Sequence, residues 1–228
     1  YMFDAKQVIR ADSSLNCQPT DGEKQIIRVE NNTFDMIEAY TGTPHHGFIC
    51  SFLEWYPRTD MEVYFISNTM RNIQRSFYRM LLLDVYHAQV FVHDNVFEDS
   101  TSTVDVAQVA TTGDIEVLRN TFRNISSSSQ NIFSVTTSSN LVIIDFTMNG
   151  ANTLYVSSSV INLNMASGAV ATLSDINFFG NSFLGTKAIV SQQMLSVFSL
   201  TTSSFTGDSL MQNTNYFDIQ EAIELSIT

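Results

Sequence analysis

Three aspartates and one arginine recur at intervals of 25, 26 and 30 residues: Asp94, Arg119, Asp145 and Asp175. Carboxylates beside a guanidinium can hold a cation or hydrogen-bond sugar hydroxyls, and paired carboxylates serve as acid and base in glycoside hydrolysis. This column, near the aromatic residues Phe91 and Tyr86, is therefore a candidate ligand-binding ladder. A structural ion-pair ladder is the alternative, and we favour it because the Asp-Arg-Asp order compensates charge locally.

A second set of chemically capable residues lies nearer the start of the sequence: Cys17, His45, His46 and Cys50. These residue types bind Zn²⁺, but their spacing matches no compact zinc module. A disulfide between Cys17 and Cys50, or plain packing of two thiols, is the favoured interpretation. We expect no metal and no cofactor.

Two sequons are candidates for N-glycosylation if the protein is secreted: Asn31-Asn32-Thr33 and Asn124-Ile125-Ser126. In a chain this rich in Asn, Ser and Thr, two such matches are close to chance. If Asn124 is a stacked turn residue, its amide points inward. Asn31 is then the better acceptor.

Composition excludes several classes of protein. The 228 residues carry a net charge of −12 with a pI near 4.5, yet only 15% are charged, against roughly 25% in soluble domains. The 17 Phe and 8 Tyr exclude a disordered acidic tail, and two Cys exclude a disulfide miniprotein. The negative charge disfavours nucleic-acid partners, and no apolar run is long enough for a membrane segment. The polarity instead comes from 27 Ser, 22 Thr and 18 Asn.

A sequence repeat predicts the strands and turns that position these residues. Its core positions are Phe34, Met70, Phe97, Phe122, Met148, Phe178 and Phe205. The residues seven and five positions before each of them are apolar, and the residue three positions before is polar. Two positions after it, six of the seven units have Asn, Asp or Gly. Each unit thus reads as a short half-buried strand, a bend, a return to the core and a turn with one left-handed residue.

Units of this kind predict a right-handed parallel β-helix, a β-solenoid of about 7–8 coils with little helix. One stretch, Met70–Leu83, also has arginines at helical spacing and could be an amphipathic helix. We favour a loop followed by a strand over Phe77–Leu83, because the next coil keeps the repeat in phase.

The run Ile115–Asn124 resembles the unit apolar-x-apolar-x-x-Asn-x-Phe-x-Asn of right-handed parallel β-helices, the pectin lyase-like superfamily. Val90–Asp99 fits this unit too, and the resemblance covers about residues 26–228. It implies a fold shared by polysaccharide lyases, hydrolases, esterases, tailspikes, adhesins and surface proteins. The catalytic segments of its enzymes are not matched: no Asp-Asp pair or Arg-Ile-Lys occurs, and no Arg follows Arg123.

Residues 1–25 are expected to form an N-terminal cap or lead-in segment, and residues 26–228 the β-helix. The apolar pair in Ile223-Glu224-Leu225 resembles the start of another coil with its core position near 230, so we expect the solenoid to be cut mid-coil. These features predict a non-enzymatic extracellular or cell-surface protein with a structural or filament-forming role. Its partners would be copies of itself or neighbouring segments of a longer chain. The alternatives are a carbohydrate-binding or polysaccharide-degrading β-helix, with glycans as partners, and a trimeric tailspike-like fibre segment.

Overall fold

A computed structural model describes residues 10–11, 24–35, 48–52, 61–72, 79–127, 131–149, 152–154, 159–183, 188–193, 197–206, 208–210, 215–219 and 224–227. The fold is an all-β parallel β-solenoid, which confirms the predicted class, and none of the described residues is helical. Every strand pair in it is parallel, and each strand pairs with its equivalents in the neighbouring coils.

Three sheets run along the solenoid. Sheet A contains β1 (Arg10–Ala11), β4 (Phe48–Phe52), β7 (Leu81–Val85), β10 (Ala107–Thr111), β13 (Phe133–Thr137), β17 (Ser159–Met165), β21 (Ala188–Gln193) and β25 (Asn215–Ile219). Sheet B contains β2 (Gln25–Glu30), β5 (Met61–Ile66), β8 (Ala88–His93), β11 (Ile115–Leu118), β14 (Leu141–Ile144), β18 (Val170–Ser174), β22 (Val197–Thr201) and β26 (Glu224–Ile227).

Sheet C contains β3 (Thr33–Asp35), β6 (Thr69–Arg71), β9 (Val96–Ser102), β12 (Thr121–Ser127), β15 (Thr147–Asn149), β16 (Thr153–Leu154), β19 (Asn177–Phe179), β20 (Ser182–Phe183), β23 (Ser204–Thr206) and β24 (Ser209–Leu210). Each coil passes from sheet B to sheet C to sheet A. About four turns, within residues 61–183, are described with only short gaps, fewer than the 7–8 coils expected. The ladders of sheets A and B extend beyond them, through eight strands each.

The core is built from columns of like residues, as the repeat predicts. All seven predicted core positions pair in register, from Phe34 opposite Met70 to Phe178 opposite Phe205. The rings of Phe97 and Phe122 lie 4.6 Å apart and nearly parallel. Stacked pairs of this kind add about 0.5–1.5 kcal/mol beyond the burial of their area.

Left-handed backbone occurs at two bends of each coil. The predicted turn position has positive φ at Asn72, Asp99, Asn124 and Gly180, which confirms it in the described units. The polar column three residues before the core position is left-handed too, with φ between 49° and 58°, although only a bend was expected there. Its members are Asn31, Ser67, Asp94, Arg119, Asp145, Asp175 and Thr202.

Two sequence expectations are corrected. The strand predicted over Phe77–Leu83 is β7, which begins only at Leu81 and ends at Val85; residues 73–78 lie outside the described part. At the end of the chain, Leu225 and Ile227 pair with Phe198 and Leu200, so the apolar pair is shifted by two residues from the predicted one. A two-residue shift keeps the same strand face inward, and alternation alone therefore cannot fix the register.

Arg10 and Ala11 are among the few described residues of the predicted cap, and they form β1, which pairs with β4. The role of residues 1–25 as a cap stays a prediction.

Candidate functional site

The candidate ladder lies at the bend between sheets B and C. Each member follows the last residue of a sheet B strand and donates its backbone N–H to the next coil, as Asp94 does to the carbonyl of Leu118 at 2.9 Å and Arg119 to that of Ile144 at 2.9 Å. The left-handed residue turns the N–H along the solenoid axis. Asp145 and Asp175 repeat this bond, so all four predicted residues occupy one column.

Within this column the structure brings Asp94 and Arg119 into a bidentate ion pair. Arg119 Nε donates to Asp94 Oδ1 at 2.6 Å and Nη2 to Oδ2 at 2.8 Å. These hydrogen bonds lower the pKa of Asp94 against the opposing effect of desolvation. The pKa of Arg119 is raised, first by Asp94 and to a smaller extent by the charge of Asp145. Both pair members are solvent-exposed, so the pair contributes little to the stability of the fold.

The aromatic residues expected beside the ladder are not both there. Phe91 lies on the outer face of β8, three residues before Asp94, but Tyr86 lies in the turn that precedes this strand. The six residues of β8 span about 20 Å, so Tyr86 sits at the opposite corner of the coil. Its ring packs edge-on against His87 instead.

Sequence reasoning missed a buried asparagine ladder directly after the left-handed column. Asn68 Nδ2 donates to Asn95 Oδ1 at 3.2 Å, and Asn95 Nδ2 donates to Asn120 Oδ1 at 2.9 Å. The same oxygens accept the backbone N–H groups of Asn68 and Asn95. The signal was present as four successive asparagines, Asn32, Asn68, Asn95 and Asn120, before Phe146 takes the position in the next coil.

A second amide ladder lies at the turn after the core position of the later coils. Asn152 Nδ2 donates to Asn181 Oδ1 at 2.7 Å, and Asn181 Nδ2 donates to Asp208 Oδ1 at 2.9 Å. Asn152 and Asn181 are buried. Both ladders link coils through groups that would cost about 1–3 kcal/mol each if left unpaired.

The outer face of sheet C carries a row of alternating charge that the sequence analysis also missed. Asp35, Arg71, Glu98 and Arg123 lie in register on four successive strands. Arg71 Nη2 lies 2.7 Å from Asp35 Oδ2, and Arg123 pairs with Glu98. Because the signs alternate, each carboxylate of this row faces a guanidinium across a strand pair.

A polar cleft of about 290 Å³ opens at the corner between sheets A and B, and its lining includes Lys24, Glu62, His87, Asp114 and Ser139. Hydrogen bonds from Lys24 and from the Tyr64 hydroxyl lower the pKa of Glu62. The Ser139 hydroxyl and the Asn140 N–H do the same for Asp114.

Two features of the chain shape this cleft. The turn between β7 and β8 has two residues, whereas the next turn, between β10 and β11, has three. Gly113 lies in the longer turn, where a Cβ would come within 2.2 Å of the Ala88 carbonyl oxygen. Glycine is therefore required for the close approach of these two coils.

One buried carboxyl lies near the corner between sheets C and A. Asp105 Oδ1 accepts the backbone N–H of Asn131 at 3.0 Å and its Nδ2 at 3.1 Å, and Arg79 Nη2 lies 3.7 Å from Oδ2. Burial raises the pKa of Asp105, and the charge of Arg79 opposes this effect.

The remaining predicted site residues are only partly placed. Cys50 lies in β4, while Cys17, His45 and His46 lie outside the described residues, so the disulfide stays a prediction. Among the residues that the structure describes, no group of three or more His, Cys, Asp or Glu is placed to hold a metal ion.

Both glycosylation candidates, Asn31 and Asn124, are exposed and left-handed. Asn124 Nδ2 donates to Asp99 Oδ1 at 2.9 Å on the surface, so its amide does not point inward as expected; the inward amide is that of Asn120. Glycosylation stays a prediction at both positions.

Comparison with protein-family models, with curated proteins and with solved structures gave no match. In the part of the chain that the structure describes, no helix has the length and apolar character needed to cross a membrane.

Proposed function

We propose that this chain is a non-enzymatic structural or surface component that acts outside the cell as a stacked β-solenoid. The observation that carries the proposal is that the polar side chains form hydrogen bonds and ion pairs between successive coils. Asp94 with Arg119, Asn95 with Asn120 and Glu98 with Arg123 are each 25 residues apart, one coil. Residue types that could do chemistry are engaged in joining one coil to the next.

The protonation of the acidic residues supports the same role. The pKa values of Asp94 and Asp114 are lowered by hydrogen bonds from the neighbouring coil, and that of Asp35 by hydrogen bonds from Asn72 and Arg71. A general acid needs a raised pKa within reach of a substrate. Burial raises the pKa of two described carboxyls, those of Asp105 and Asp84. Asp105 is buried and bonded to Asn131, and Asp84 lies on the outer face of sheet A, outside the polar cleft.

The extracellular setting and the superfamily are part of the proposal. The unit Asn120-x-Phe122-x-Asn124 and its variant Asn95-x-Phe97-x-Asp99 resemble the pectin lyase-like superfamily, and the asparagine ladder gives this pattern a structural reason. Outward positions of sheet A such as Ser134, Thr136 and Asn164 carry hydroxyls and amides, a surface that stays hydrated with few ions.

The experiment combines a turnover assay with imaging. We expect no cleavage of polyuronates or neutral polysaccharides, and rod-shaped particles in negative stain. Cleavage that is lost in Asp94→Asn or Asp114→Asn would show an enzyme and contradict the proposal. Compact particles with no sign of stacking would count against the structural role.

A second candidate, carbohydrate binding, is favoured by the polar cleft at Lys24, Glu62 and Asp114. A glycan array tests it, with Asp114→Asn as the variant and Asp35→Asn, an exposed position outside the cleft and the ladder, as the matched control. Binding that is lost only in Asp114→Asn supports this candidate, and an array without signal removes it. The trimeric fibre alternative stays a prediction that the molecular mass decides.

A further inference from the structure

The outer face of sheet B differs from the outer face of sheet A. Around its middle strands it carries Phe91, Leu118, Val142 and Ile144, and the Ile144 side chain is 37% exposed. The corresponding positions of sheet A are mostly hydroxyls and amides. Parallel sheets are normally covered on both faces, so an apolar outer face calls for a partner.

The aromatic rings of this face are arranged for contact with a flat surface. Tyr64 and Phe91, on adjacent strands, stack 4.6 Å apart at 9°, and the guanidinium of Arg28 covers the other face of Tyr64 at 4.0 Å. Because the rings stack along the solenoid axis, they present edges rather than faces to the outside. A sugar ring would need an open aromatic face, whereas another sheet packs well on ring edges.

Two rows of outward residues run through the middle of this face, and a third, with Ile26, Glu62 and Gln89, lies nearer the corner with sheet A. Row 1 contains Arg28, Tyr64, Phe91, Glu116 and Val142, and row 2 contains Glu30, Ile66, His93, Leu118 and Ile144. In three of the coils the two outward residues match in character: Arg28 with Glu30, Val142 with Ile144, and Thr172 with Ser174. In the coil of β11 they are Glu116 and Leu118, and Glu116 Oε1 lies 3.0 Å from His93 Nε2 of its own chain. A face of this kind is self-complementary if row 1 of one copy meets row 2 of another.

We propose that two copies of the chain pair through sheet B, parallel and coil by coil, about a two-fold axis that runs along the solenoid between rows 1 and 2. Val142 then packs on the partner's Ile144, and Phe91 on the partner's His93. This inference rests on the proposed structural role and names the partner and the face that the role would use.

Charge selects this arrangement over the antiparallel one. In the parallel pair, Arg28 faces the partner's Glu30 and, at the corners, Arg119 lies on the side of the partner's Asp114. An antiparallel pair centred on β11 would bring Glu116 against the partner's Glu116, which costs free energy when the carboxylates lose water.

The size of the face agrees with a reversible dimer. Eight strands spaced by about 4.8 Å, with about five residues each, give a face of roughly 38 by 17 Å, so two copies bury roughly 1,300 Å². Stable interfaces begin at about 1,200 Å². With polar residues at both ends of the face, we expect a dissociation constant in roughly the micromolar range.

The test is sedimentation velocity of the full chain and of two outward-facing variants, Val142→Glu and Ile144→Lys. Each variant alone should raise the dissociation constant roughly tenfold or more, because it sets an unpaired charge against an apolar side chain. Glu116, which faces the partner's Leu118, differs because His93 of its own chain lies beside it at 3.0 Å. An equimolar mixture of the two should restore the dimer, since the introduced carboxylate and ammonium then face each other. Thr136→Glu, on the outer face of sheet A, is the matched control and should leave the mass unchanged.

Circular dichroism of each variant establishes that the coils remain folded. A monomeric or trimeric wild-type chain, a dimer unchanged by both variants, or a mixture that does not restore it would overturn the pairing. These outcomes are separate from the turnover assay, whose positive result contradicts the proposed function whatever the mass of the chain.

Discussion

Asn95 and Asn120 are 25 residues apart in the sequence, yet the buried amide of Asn95 donates its Nδ2 proton to Asn120 Oδ1 at 2.9 Å. The same oxygen also accepts the backbone N–H of Asn95. Two successive coils are therefore joined by a side chain at a bend where the strand ladder is interrupted.

Replacing Asn95 by Ala should destabilise the protein by about 2–4 kcal/mol, because the change removes four hydrogen bonds between buried groups. The Asn68 N–H loses its side-chain acceptor, and Asn68 Nδ2, the Phe65 carbonyl and Asn120 Oδ1 each lose one bond. Urea unfolding measures the effect. Asn164→Ala, at an exposed outward position of β17, is the control and should change stability by less than about 0.5 kcal/mol. An equal loss of unfolding free energy in both variants would show that the buried ladder stabilises the fold no more than an exposed asparagine does.

The left-handed backbone at Asp145, with φ 54°, predicts that glycine at this position is more stable than valine. Asp145→Val should cost about 1–2 kcal/mol, since a β-branched side chain is strained in this region, whereas Asp145→Gly should be neutral or stabilising. Thermal unfolding compares both variants with Thr172→Val, where an extended strand tolerates valine. A valine at position 145 tolerated as well as the glycine would contradict the backbone assignment.

The buried Asp105 predicts a pH-dependent effect. Burial raises its folded pKa, so the folded state takes up the proton more readily than the unfolded state, and Asp105 favours folding less as pH rises through the folded pKa. Asp105→Asn keeps an acceptor for Asn131 and removes the buried charge. Its stability relative to wild type should therefore increase from acidic to neutral pH. Unfolding curves across this range measure it, and a difference that stays flat with pH would refute the raised pKa.

Gly113→Ala should destabilise the chain by about 1–3 kcal/mol, because its Cβ would lie 2.2 Å from the Ala88 carbonyl oxygen and force two coils apart. Ser167→Ala, at an exposed turn position between β17 and β18, is the matched control and should have little effect. Chemical unfolding of the two variants, side by side, provides the comparison. An undisturbed Gly113→Ala protein would mean that the coils are further apart than described.

The columns of apolar residues were predictable because stacked coils repeat the same inward positions, as Val90, Ile115 and Leu141 do. Register at the end of the chain was not, because strand alternation leaves a shift by two residues open, as at Leu225 and Ile227. The second left-handed position was missed because Arg119 and Thr202 occupy it, residue types that seldom adopt positive φ.

For the candidate site, the sequence predicted only that its four residues align in one column. The intervals between Asp94, Arg119, Asp145 and Asp175 predicted their alignment, but not that Arg119 binds Asp94 through its Nε and Nη2 groups. The cleft at Asp114 depends on the lengths of neighbouring turns and on one close approach at Gly113, which only the folded coils reveal.

The central claim is that the protein is a stack of equivalent coils whose residues serve to join one coil to the next. Deletion of residues 115–140, one complete coil, tests it most directly, since Asp114 would then precede Leu141 as Asn140 now does. Far-ultraviolet circular dichroism during heating should show a β-sheet spectrum and cooperative unfolding for this variant. Deletion of residues 115–127, about half a coil, removes less of the chain but destroys the register, and should abolish folding. Loss of structure in the whole-coil deletion, or better tolerance of the half-coil deletion, would contradict the account.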